Sequence, residues 1–190
     1  MKEIIRLETI SEVHHFLGLD KPKHPMISLL RIGKVLRDLA MDDIKYVLGL
    51  YQISLKDNCP YTIINYGRNS YDFQEGTMVF TAPEQILSFK KAETVEEDNG
   101  WSLVFHPNLI RKAELGNKIS RFTFFDYASN EALHLSDDER QTVTELAEKI
   151  EREYSTNLDA HSQTLIISNL ELLLNYCVRF YDRQFYFLER

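Results

Sequence analysis

Cysteine is almost missing from this chain of 190 residues. Cys59 and Cys177 are the whole supply, far apart and in no redox or metal-binding spacing. That excludes a disulfide framework and fits two reduced thiols in a cytoplasmic protein. Glycine is sparse too, at seven residues, and none sits in a phosphate-cradling loop. Leu48-Gly49-Leu50 and Tyr66-Gly67-Arg68 read as single turns. No Gly-x-Ser-x-Gly elbow occurs, and neither cysteine has a base beside it in sequence. The six histidines include no His-x-His pair of the kind a barrel metal enzyme uses. His14 and His15 are adjacent, and adjacent helical residues point about 100° apart, so they do not share an ion. His106 and His134 stand singly, which suits hydrogen-bonded structural residues. No apolar run approaches the roughly 20 residues of a membrane helix, and Met1 to Leu7 lacks a signal-peptide core. Dense basic clusters are absent as well, and the net charge is −7. Nucleic acid is held mainly by Lys and Arg that displace phosphate counterions, so binding by this chain alone is disfavoured. The expectation is a protein that is not an enzyme, with no catalytic residues, metal, cofactor or membrane contact.

What is present is a core. Hydrophobic residues make up 44% of the chain, ample for one packed domain. Thr9-Ile10-Ser11-Glu12 has capping-box form, Ile10, Val13 and Leu17 share a face, and Gly18 supplies the stop. Pro22 and Pro25 then end any helix and lead into an extended run, Met26 to Leu30. From Met26 to Leu135 the pattern is β. Tyr51, Ile53 and Leu55 alternate with Gln52, Ser54 and Lys56, the signature of a half-buried strand. Tyr61 to Tyr66, Ile86 to Phe89, Trp101 to Phe105 and Ala132 to Leu135 read as further strands. Gln74-Glu75-Gly76-Thr77 suggests a hairpin turn with Gly76 at positive φ, and Lys91 to Gly100 a solvated loop. Many short strands with close turn signals argue for a sandwich or barrel.

From Ser136 onward the chain reads as helix. Ser136-Asp137-Asp138-Glu139 is a strong start, followed by an apolar stripe of Val143, Leu146, Ile150 and Tyr154. A longer helix is expected from Asp159 to Phe187. Its apolar arc is far wider than packing on one neighbour requires. Two covers are therefore expected, the rest of the domain and a second copy of the same helix. Ile167, Leu170, Leu174, Cys177 and Tyr181 form the three-four-three-four seam suited to that homodimer. The alternative is a helix enclosed wholly by its own domain. On the strands, Tyr51, Tyr66, Phe80, Trp101 and Phe105 are the candidate aromatic walls of a ligand pocket, set against the simpler reading of an aromatic core.

Several segments together resemble a known family. They are His24-Pro25-Met26-Ile27-Ser28, Tyr51 to Lys56, Tyr71 to Gln85 and Gly100 to Pro107, then Phe124 to Tyr127 with Glu131 to Ser136, Glu171 to Tyr176 and Arg179 to Phe185. In order and spacing they are similar to the N-terminal region of AraC-type transcription regulators, especially of the Bacteroidetes kind. The resemblance implies an α+β, mainly β fold: a cupin-like β-barrel or jelly roll with a short N-terminal helix and two C-terminal helices. Residues 1–25 would form a helix and arm, 26–135 the effector-binding barrel and 136–190 the dimerisation helices. It implies an unidentified small-molecule effector, and DNA reading only through a helix-turn-helix domain that would follow Arg190. The alternative is a stand-alone cupin-like small-molecule-binding protein or enzyme.

Overall fold

A computed structural model of the chain describes residues 4–31, 45–57, 61–66, 69–72, 76–91, 100–126, 132–156 and 158–186. Cys59, Phe73, Gly67, Arg68 and residues 92–99 of the expected loop Lys91 to Gly100 lie outside them.

The helix-start signals operate as the sequence suggests. Thr9 caps α1 (Ile10–Phe16), accepting the Glu12 backbone N–H while the Glu12 carboxylate returns to the Thr9 N–H. Ile10, Val13 and Leu17 are buried, and Gly18 leaves the helix at φ +66°. Ser136 and Glu139 form the same reciprocal cap on α3 (Asp137–Ser155), with Asp137, Asp138 and Glu139 on its positive dipole end.

The fold is α+β and mainly sheet. Among the described residues, ten strands form two five-stranded sheets. The first holds β1 (Ile4–Leu7), β3 (Lys45–Leu48), β8 (Ile86–Lys91), β5 (Tyr61–Tyr66) and β6 (Asn69–Asp72) in that spatial order. The second holds β10 (Leu133–His134), β7 (Thr77–Thr81), β4 (Tyr51–Lys56), β9 (Trp101–Phe105) and β2 (Ile27–Leu30). Among the described residues no strand pairing joins the sheets, so the barrel is not closed. All pairs are antiparallel except β1 with β3.

Two expectations change. The stretch around Gly76 is not a hairpin, because β6 and β7 belong to different sheets. Gly76 does take φ +72°, and its carbonyl accepts the Leu135 N–H, so the turn brings the chain into the second sheet beside β10. The β stretch is also interrupted. Between β9 and β10 lie α2 (Glu114–Lys118) and three short 3₁₀ turns, Pro107–Leu109, Ile119–Arg121 and Thr123–Phe125. They turn Leu109, Ile110, Leu115, Phe122, Phe124 and Phe125 into the core.

The second sheet is the middle layer. One face packs Ile53, Leu55, Met78, Phe80, Leu103 and Phe105 against α3 and α4 (Ser162–Tyr186). Its other face contributes Leu30, Val79 and Val104 to a second cluster with Tyr46, Leu48 and Leu87 of the first sheet, closed by α1. Every strand of the middle layer except the short β10 is therefore covered on both faces.

This layering accounts for the last helix. Leu170, Leu173, Leu174 and Cys177 are wholly buried, and Ile166 and Phe180 lie beside them, between the sheet and α3. The expected dimer seam is thus turned inward. Leu170, Leu174 and Cys177 are fully covered by their own chain, and Ile167 and Tyr181 pack at the margins of the same core. A side chain without exposed surface has nothing to offer a second subunit. Both covers of the wide arc come from within the chain, one from the sheet and one from α3. The outward face is mainly polar, with Leu165 and Leu172 its exposed large hydrophobics.

Candidate functional site

Four of the five aromatic residues singled out from the sequence, Tyr51, Phe80, Trp101 and Phe105, lie on the helix side of the middle sheet. Tyr51 stacks on Phe105 at 5.1 Å between ring centroids and meets Phe125 edge-on at 5.2 Å. Phe80 packs on Phe124 at 4.1 Å. Trp101 donates its indole N–H to the Thr144 hydroxyl at 3.0 Å. These four are brought together as a core between sheet and helices, and burial raises the Tyr51 phenol above its ordinary pKa. Tyr66 lies on β5 in register with Leu87; its side chain is outside the described residues.

The opposite face of the same sheet carries what the sequence reading missed. Strand register places Thr81, Gln52, Val104 and Ser28 in one row across β7, β4, β9 and β2. The next row is Val79, Ser54, Ser102 and Leu30, and Lys56 lies opposite Thr77 beyond it. Every one of these residues is buried. The row was legible as alternation on β4, but its polar side faces the first sheet and not solvent. Signals for this were the covered neighbours: a strand sandwiched between helices and a second sheet hides both faces.

At the centre of this polar floor three side chains form a triangle. The Gln52 amide donates to Ser54 Oγ at 2.9 Å and to Ser102 Oγ at 3.3 Å, and the two serine oxygens are 2.6 Å apart. Gln52 is 8% exposed and, among the described residues, its Oε1 has no hydrogen-bond partner. A buried acceptor left unpaired costs about 1–3 kcal/mol. Lys56 and Thr77, at one end of the floor, are buried and have partners. At the other end Ser28 meets the ring of His14 on α1, with Ser28 Oγ 2.8 Å from His14 Nε2. His14 Nδ1 is 2.6 Å from the Asp20 carbonyl, to which it must be the donor.

Two open clefts flank the chain after α1. One, of about 390 Å³, is lined by Ser11, His14, His15 and Pro25, and the other, of about 300 Å³, by His14, Ser28, Arg31 and Tyr154, among others. The polar groups between them are paired with one another: Tyr154 accepts the Leu29 N–H at 2.8 Å, and Arg31 pairs with Glu151 at 2.8 Å. His106 caps a 3₁₀ turn by accepting the Asn108 N–H, and His134 lies 3.3 Å from the Thr77 hydroxyl. Both are hydrogen-bonded structural residues. Among the described residues no His, Cys, Asp or Glu cluster is arranged to hold a metal, and no helix is long and apolar enough to cross a membrane.

Comparison with protein families and with curated proteins found no match for the chain.

Proposed function

We propose that the chain is the effector-sensing, regulatory module of an AraC-type transcription regulator, with a cupin-like sandwich as its ligand chamber. The observation that carries the reading is the buried polar floor with its unpaired Gln52 carbonyl. Folding alone gives no reason to place hydroxyls and an unpaired amide oxygen where Leu and Val would pack better. A small molecule that parts the sheets to reach the floor would supply that reason. The two antiparallel-rich sheets, with consecutive strands β7, β8 and β9 alternating between them, support the cupin-like part of the reading. Self-association, which the resemblance implies, would have to use residues other than the fully buried Leu170, Leu174 and Cys177. DNA reading would belong to a separate domain, in keeping with a net charge of −7.

The test is thermal unfolding of the chain with and without the small-molecule fraction of its host's extract, run beside Gln52→Leu. A ligand bound at a hundredfold excess over its Kd adds about 2.7 kcal/mol. For a domain of this size that is a rise of roughly 5–10 °C. The reading predicts such a rise for the wild type and its loss in Gln52→Leu. An unmoved midpoint in both proteins would overturn it.

A further inference from the structure

We infer that the two clefts after α1 form one binding site for a small carboxylate with an apolar body, separate from the polar floor between the sheets. The clefts measure about 390 Å³ and about 300 Å³, and both are lined by His14, Leu19 and Lys21, which makes them neighbours. Ligand pockets begin at about 300 Å³, so the room is sufficient. The base of the second cleft is already fixed. His14 Nδ1 donates to the Asp20 carbonyl at 2.6 Å, so in the neutral ring Nε2 accepts the Ser28 hydroxyl at 2.8 Å. The Tyr154 hydroxyl accepts the Leu29 N–H and lies beside Ser28. These bonds tie α1 to β2 and β2 to α3. The walls are held without a ligand, which leaves little ordering to be done on binding.

Charge decides what fits. The walls carry three cations, Lys21, Lys23 and Arg31, and two carboxylates, Asp20 and Glu151, although the chain as a whole stands at −7. Arg31 is paired already, with Glu151 at 2.8 Å and Glu148 at 3.8 Å. Lys21 and Lys23 pair with no carboxylate among the described residues, and the Lys23 ammonium reaches only the Ser155 hydroxyl, at 3.5 Å. A small cationic excess suits a monoanion, which a lysine holds as a point charge. Both lysines are exposed, so their hold is modest and sensitive to salt. Leu19, Pro22 and Pro25 give the first cleft an apolar side, and Leu29 and Leu30 extend it in the second. An acid with a short hydrocarbon or aromatic body uses both features. Inorganic phosphate uses only the charge, and a neutral amide only the apolar walls.

The experiment is titration calorimetry on the whole chain at low and high salt, with benzoate, hexanoate, benzamide and inorganic phosphate as probes at millimolar concentration. At low salt at least one carboxylate should bind, with benzamide and phosphate about tenfold weaker or more. High salt should weaken the carboxylate. Lys21→Gln combined with Lys23→Gln should keep the wild-type melting midpoint and weaken carboxylate binding about tenfold, the effect of losing charge-assisted hydrogen bonds. Lys112→Gln, which lines neither cleft, should leave it unchanged. Equal binding of benzamide or of phosphate would overturn the ligand class. Binding by neither carboxylate, or carboxylate binding indifferent to the two lysines, would overturn the site, and the Gln52 reading would stand or fall separately.

Discussion

His24 shows how much a single buried ring records. It is half-buried, its Nδ1 accepts the Met26 N–H at 3.1 Å, and its ring lies 6.3 Å from that of Tyr154. Burial lowers its pKa below the ordinary histidine value. The unfolded chain then binds the proton more readily, so the linked stability is complete above about pH 6.5 and is lost as pH falls below it. Between about pH 7 and pH 5 the wild type should lose more stability than His24→Gln. Urea denaturation at the two pH values measures this, and parallel losses would contradict it. Cys177 makes a second point at this scale. It is fully buried against Met78, with the two sulfurs 3.9 Å apart, and burial pushes its thiol far above the ordinary value. In a Cys59→Ser background a thiol reagent should label it only at the rate of unfolding.

Among the elements, the edges of the middle sheet explain what the helices do besides packing. β2 and β10 are its outer strands. Tyr154 of α3 covers one edge by accepting the Leu29 N–H. At the other edge Gln184 of α4 brackets β10, accepting the His134 N–H and donating to the Ala132 carbonyl, while Arg183 donates to the His134 carbonyl. Open edges invite pairing with other chains, and these side chains close them. Tyr154→Phe should leave the Leu29 N–H unpaired, lowering stability by about 1–3 kcal/mol and speeding amide exchange at Leu29. Unchanged exchange there would refute the role. Ser136→Ala should cost about 1 kcal/mol through the lost cap, read by thermal or urea unfolding.

The same elements mark what the sequence could tell. Helix starts were legible because a cap is local: Thr9 with Glu12, and Ser136 with Glu139, need only a few neighbouring residues. Strands β2, β4, β9 and β10 were legible from short apolar or alternating runs. The turn at Gly76 was legible as a positive-φ position, but its partner strand was not, because sheet membership is set by contacts remote in sequence. The polar floor was hidden for the same reason. Gln52, Ser54 and Ser102 look like the solvent side of half-buried strands until a second sheet is placed over them.

For the whole molecule, the decisive question is what covers each face of the middle layer. The helix side is closed by α3 and α4 with Leu170, Leu173, Leu174 and Cys177 wholly inside. Leu170→Glu should therefore unfold the chain, by about 3 kcal/mol or more, and not merely separate two folded copies. Light scattering with circular dichroism distinguishes the two, and a folded monomeric variant arising from a dimeric wild type would contradict the inward seam. The sheet side is different, since its polar floor holds Gln52 Oε1, which has no hydrogen-bond partner among the described residues. The most direct test of its role is native mass spectrometry of the chain purified from its own host. The account predicts a small molecule carried by the wild type and missing from Gln52→Leu. An identical ligand-free mass for both would contradict it.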